Sequence, residues 1–85
     1  MNDNVDYNAP ADLFPAPQHR RSALRYRRFD TLAEALRFAQ EELTAQQRQG
    51  ALIEADEVRY GSDEIAALYL ANAYPLARPT ETGPN

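Results

Sequence analysis

Residues 29–50, FDTLAEALRFAQEELTAQQRQG, hold a helix start, an apolar stripe and a helix stop in one run. Thr31 to Glu34 match the T-x-x-E capping box, in which the Thr31 hydroxyl accepts from the Glu34 amide and the Glu34 carboxylate accepts from the Thr31 amide. Asp30 and Glu34 set negative charge at the positive end of the helix dipole. Leu32, Leu36, Ala39 and Leu43 then recur at helical spacing, with Ala35 and Phe38 widening the stripe. Glu34, Arg37, Glu41 and Glu42 take the outer face. The apolar period fades over residues 44–49, and Gly50 is a natural stop, so the pattern predicts one amphipathic helix between Phe29 and Gly50.

Immediately upstream, residues 20–29 alternate partly, which predicts a strand over about Ala23 to Phe29. Leu24 and Tyr26 would face the core and Arg25 and Arg27 the solvent, with a bulge or strand end where Arg28 and Phe29 break the phase. Downstream, Ala51 to Glu54 reads as a strand, and Val58 to Tyr60 resumes the apolar pattern after Asp56 and Glu57. Residues 55–57 are either a bulge in one long strand or a tight hairpin turn. The hairpin is preferred, because a strand–helix–strand unit alone leaves two parallel strands, a poor core. Ser62 before Asp63 and Glu64 predicts an N-cap, and a second helix runs to about Ala73, ended by Tyr74-Pro75. Ile65, Leu68, Tyr69 and Asn72 share its inner face.

The expected fold is therefore α+β, in the order β-α-β-(β)-α, with two helices on one face of a two- to three-stranded sheet. Its core would draw on Leu24, Tyr26, Leu32, Leu36, Ala39, Leu43, Leu52 or Ile53, Val58, Ile65, Leu68 and Tyr69. The domain spans residues 20–76. Residues 1–19, with Pro10, Pro15 and Pro17 among small and polar residues, are expected to be a disordered tail, as are residues 77–85. Within the first tail Leu13-Phe14 is an apolar pair that could dock a partner, fold back, or do nothing, and the last reading is preferred.

A chain of 85 residues makes one domain. Without its tails about 55 residues would remain, a size at which a core is marginal and a partner or second copy could supply burial. There is no cysteine, hence no disulfide or thiolate metal site. The acidic start, Met1 to Asp6, fits no signal or transit peptide, and no apolar run reaches the length of a membrane span, so a cytoplasmic location is expected. A net charge of −4 argues against a surface that grips nucleic acid throughout.

Catalytic chemistry is hard to seat. The single histidine, His19, falls in the expected tail, and the acidic doublets Glu41-Glu42, Asp56-Glu57 and Asp63-Glu64 point their members apart. Asp56 to Gly61 fails the calcium-loop spacing at Val58 and Tyr60. No enzyme, cofactor or metal is expected. The best candidate surface is basic: Arg20, Arg21, Arg25, Arg27 and Arg28 lie within nine residues, interleaved with Tyr26. Such a strand can follow a phosphate backbone and stack on bases. The simpler reading, preferred here, pairs Arg25 and Arg27 across the sheet with Glu54, Asp56 or Glu57. Tyr60, Tyr69 and Tyr74 are core residues or, if exposed together, an interface.

From Tyr26-Arg-Arg-Phe-Asp-Thr-Leu-Ala-Glu-Ala through Gly50-Ala-Leu-Ile-Glu to Asp63-Glu-Ile-Ala-Ala-Leu-Tyr, the chain resembles short bacterial proteins of unassigned function. The resemblance covers about residues 26–76, implies a bacterial cytosolic origin and adds no site residues. The leading functional expectation is a non-enzymatic protein-interaction or regulatory module, working through an open sheet face or edge with an unknown protein partner or a second copy of itself. The alternative is a weak nucleic-acid-binding protein using residues 20–28.

Overall fold

The centre of the sheet comes from the segment whose composition predicts a tail. A computed structural model of the chain describes residues 5–16 and 26–77. Its elements are β1 (Ala11–Phe14), β2 (Arg27–Phe29), α1 (Leu32–Glu41), α2 (Ala45–Arg48), β3 (Leu52–Ala55), β4 (Val58–Tyr60) and α3 (Ser62–Leu70). The strands form one antiparallel sheet in the order β2-β1-β3-β4, and α1 and α3 pack together on one of its faces. The chain is thus an α+β domain. It has four strands rather than two or three, because β1 lies between β2 and β3. The strand–helix–strand unit β2-α1-β3 is split, and β1 separates two strands that run in the same direction.

What orders β1 is local alternation that the composition hides. Ala11 and Leu13 point into the core and are fully buried, while Asp12 and Phe14 point out. Pro10 and Pro15 flank the strand, where a missing amide interrupts no ladder. The preceding residues are fastened as well. The first-turn amides of α1 that no helix can satisfy find upstream carbonyls, Leu32 donating to Ala9 at 2.7 Å and Ala33 to Tyr7 at 3.0 Å. The Tyr7 hydroxyl donates to the Leu68 carbonyl of α3. Residues 5–16 are therefore part of the domain, a correction to the expected tail. Residues 1–4, 17–25 and 78–85 lie outside the described residues, and with them Leu24, His19 and most of the second expected tail.

The long helix predicted over residues 29–50 is two. Thr31 caps α1 as expected, its hydroxyl accepting from the Glu34 amide at 3.1 Å. The helix ends at Glu41, because Thr44 opens a second capping box with Gln47, the T-x-x-Q counterpart of the first. Arg48 of α2 then reaches back and donates to the carbonyls of Gln40 (3.2 Å) and Leu43 (3.0 Å), satisfying the exposed end of α1.

The hairpin reading of residues 55–57 holds. Asp56 and Glu57 both have positive φ (55° and 69°), the geometry of a two-residue type I′ turn. Gly61, not Ser62, precedes α3, and its amide donates to the Glu64 carboxylate at 2.8 Å. The helix ends at Leu70, short of Ala73, and Asn72 is exposed.

Leu13, Leu32, Leu36, Ile53 and Ile65 are the largest fully buried side chains. Ile53, not Leu52, takes the core position of β3. Tyr26 and Val58, expected inside, are 54% and 47% exposed. Tyr26 is out because β2 has the opposite phase to the one predicted: Arg27 and Phe29 face the helices, Tyr26 and Arg28 face away. A one-residue change of phase moves every side chain of a strand to the other face.

Candidate interaction surface

The four central side chains of the helix-free face lie in one row across the strands. The register places Arg28 beside Asp12, Asp12 beside Glu54, and Glu54 beside Arg59. The charges along it run plus, minus, minus, plus. Arg28 Nη1 donates to Asp12 Oδ1 at 3.0 Å, and the Tyr26 hydroxyl donates to the same oxygen at 2.8 Å. That shared carboxylate raises the Tyr26 pKa, since ionising the phenol would break the hydrogen bond and set two negative charges together. It also raises the Arg28 pKa by direct attraction. The Glu54 side chain makes no ion pair or hydrogen bond with another described residue.

Next to the charged row runs an apolar one. Tyr26, the residue before β2, lies against Phe14 of β1 with ring centroids 5.3 Å apart, and Phe14 pairs with Leu52 on β3. No described element covers either row. Phe14 and Leu52 are only half-buried, and the Arg28 side chain is 60% exposed.

On the helix side of β2, Arg27 does something else. Its guanidinium lies 5.0 Å from the Phe29 ring and 4.7 Å from the Phe38 ring, a double cation–π contact. These three groups, with Glu34, Arg37 and Glu42, line an open groove of about 440 Å³ between β2 and α1.

The predicted basic cluster is therefore divided between two faces of one strand. Arg28 and Tyr26 join the outer face and Arg27 the groove, while Arg20, Arg21 and Arg25 lie outside the described residues. Of the two expected cross-strand pairings, that of Arg25 lies outside the described residues and Arg27 sits against the Phe29 and Phe38 rings; the ion pair described is Arg28–Asp12, whose acid comes from the segment read as a tail. Tyr69 and Tyr74 leave the interface list, because both are buried, their rings 5.0 Å apart. Tyr74 donates to the Ala33 carbonyl and Tyr69 to the Glu41 carboxylate. Tyr60 is half-buried, and its pKa is raised first by burial, then by Asp56, Glu64 and Tyr7. Asp12, Leu52 and Arg59 are not among the sequence-predicted surface residues, and Phe14 and Glu54 enter there only as half of an apolar pair and as a possible cross-strand acid; the period-two alternation of residues 11–14 and 52–54 is the available signal.

Both sheet edges are blunted. β2 and β4 are three residues long, β2 turns Arg27 toward the helix side, and β4 carries Arg59. Short edge strands and inward-pointing charge are the usual obstacles to adding a further strand. The face is the more available surface.

No family model, curated protein or solved structure matches the chain.

Proposed function

We propose that the chain is a non-enzymatic protein-interaction module that works through the sheet face that no described element covers. The observation that carries this reading is the pair of rows on that face, Tyr26–Phe14–Leu52 beside Arg28–Asp12–Glu54–Arg59. Aromatic residues and arginine are the types enriched at the buried centres of protein interfaces, and a polar border beside an apolar strip fixes register. The edge mode is the weaker one for the reasons of length and charge given above.

A second reading has its own support. An aromatic pair on an open antiparallel sheet, next to an arginine, is also how unpaired bases are stacked. Against it, the middle of the charged row is Asp12 and Glu54, which repel a phosphate backbone.

The test is site-specific photo-crosslinking in cells from a photoreactive phenylalanine analogue at Leu52, with the same probe at exposed Leu70 as control. A discrete protein adduct from Leu52 alone, lost on Tyr26→Ala, is the expected result. Adducts equal from the two sites would overturn the reading. A salt-sensitive shift of the Tyr26 and Phe14 resonances with a single-stranded oligonucleotide would put the second reading in its place.

A further inference from the structure

We infer that the partner of this face is a second copy of the chain, stacked sheet on sheet about a two-fold axis that passes over β1. The inference rests on the face being an interaction surface and adds what occupies it. It comes from the order of charges. An isologous contact must be complementary to itself, because every patch meets its own copy.

Any axis parallel to the strands keeps the apolar rows stacked, and three such axes overlay three strands or more: between β1 and β3, over β1 and over β3. The axis over β3 repeats Glu54, which no described residue holds, and leaves Tyr26 outside the overlap. An axis between β1 and β3 lays Arg28 on the partner's Arg59 and Asp12 on the partner's Glu54. Both overlays set like charge on like, and Asp12 over Glu54 is a clash of two carboxylates at the centre of the patch. An axis over β1 lays Arg28 on the partner's Glu54 and Glu54 on the partner's Arg28. It also stacks Phe14 on Phe14 and Tyr26 on Leu52. The one repeated carboxylate, Asp12, is already held by its own Arg28 and Tyr26. Glu54, which has no partner among the described residues, gains one. Arg28 is exposed enough to serve Asp12 with one nitrogen and the other chain's Glu54 with the rest. Two sheets packed within about 30° of each other accept this arrangement.

The contact is small. Three strand spacings of about 4.8 Å by four residues of about 3.4 Å give a footprint of about 200 Å². That is well under the roughly 800 Å² per partner of a standard interface. The dimer is therefore weak and is to be sought between about 10 µM and 1 mM of chain.

Sedimentation equilibrium of the full chain over that range tests it. The weight-average mass should climb from the monomer's 9.6 kDa toward twice that value. Glu54→Arg alone and Arg28→Glu alone each place like charges across the axis and should stay monomeric. Mixed in equal amounts they restore both cross-axis pairs, so the mixture should associate within about threefold of the wild-type constant. Should Arg28→Glu fail to fold by circular dichroism, isotope-filtered NOEs on a mixed-label wild-type sample decide. The inference requires contacts between Leu52 methyls of one chain and the Tyr26 ring of the other. A monomer throughout the range, a mixture no better than its parts, or a dimer without those NOEs overturns it. A monomer whose Leu52 still crosslinks another protein in cells leaves the interaction reading standing with a different partner; absence of both removes the two together.

Discussion

Replacing Leu13 by alanine should cost the domain about 2–5 kcal/mol, the range for removing a fully buried leucine from a packed core. Leu13 is 0% exposed and sits on β1, with Arg27 of β2 on one side and Ile53 of β3 on the other. Its side chain belongs to the same cluster as Leu36 of α1 and Ile65 of α3, so the cavity would open where sheet and both helices meet. Against a total stability of about 4–13 kcal/mol for 85 residues, that is a large share. A loss of about 3 kcal/mol lowers Tm by roughly 12–24 °C at this size. In urea, with a slope of about 1–1.5 kcal/mol per molar, the midpoint should fall by about 2–3 M. Far-UV circular dichroism follows both transitions. Leu70→Ala, at a side chain 65% exposed, is the control and should stay within about 0.5 kcal/mol of wild type. A tail leucine would behave like the control. Leu13→Ala unfolding at the wild-type midpoint would therefore refute the placement of β1 in the sheet.

Three further changes have definite expected outcomes. Glu57→Gly should raise stability by about 1 kcal/mol, because Glu57 sits at φ 69° and Asp-Gly is the preferred type I′ pair; a fall in the urea midpoint would contradict the turn geometry. Thr44→Ala removes the N-cap of α2 and loosens the Arg48 contact with the end of α1, at a cost of about 1 kcal/mol, read from the same urea curves. In alkali, Tyr60 should ionise above the unfolded tyrosine value of about 10. Its folded pKa is raised, so the folded state holds a proton that the unfolded state has lost, and stability declines as pH rises past about 10. Absorbance at the phenolate band should show late-titrating tyrosines, Tyr26 and Tyr60 among them, and Tyr60→Phe should remove one; titration of all five tyrosines together near 10 would count against it.

The parts of the fold legible in the sequence are those whose signal is local. The Thr31 cap, the Leu32–Leu36–Ala39 stripe and the turn at Asp56-Glu57 each depend on a few adjacent residues. The break in the long helix was also written locally, in Thr44 and Gln47, but a fading apolar stripe does not separate the end of one helix from the start of another. β1 was hidden by averaging. Prolines and polar residues dominate residues 1–19, yet four residues suffice for a central strand when both neighbours complete its ladder. The same omission reversed the phase of β2. Without Asp12 in view, nothing marks Arg28 and Tyr26 as an outward pair and Arg27 as the inward one. The candidate surface is half visible in consequence: Arg28 and Tyr26 stand out as a basic, aromatic stretch and Phe14 and Glu54 enter singly, but nothing local joins them to Asp12, Leu52 and Arg59 in two rows.

The split unit has a consequence for the order of assembly. β1 precedes everything it pairs with, and its partners on β3 lie 38 to 44 residues further along, from Phe14 with Leu52 to Ala11 with Ala55. Until residue 55 has left the ribosome, β1 can close only on β2, and its other edge stays unpaired. A two-stranded β1-β2 pair is then all of the sheet that can form, and such a pair is at best marginally stable by itself. Contacts of such separation are the slow step in small domains, since loop closure must precede their formation. Cotranslational folding of this chain should thus be late and abrupt, with the first-made strand among the last to be locked in.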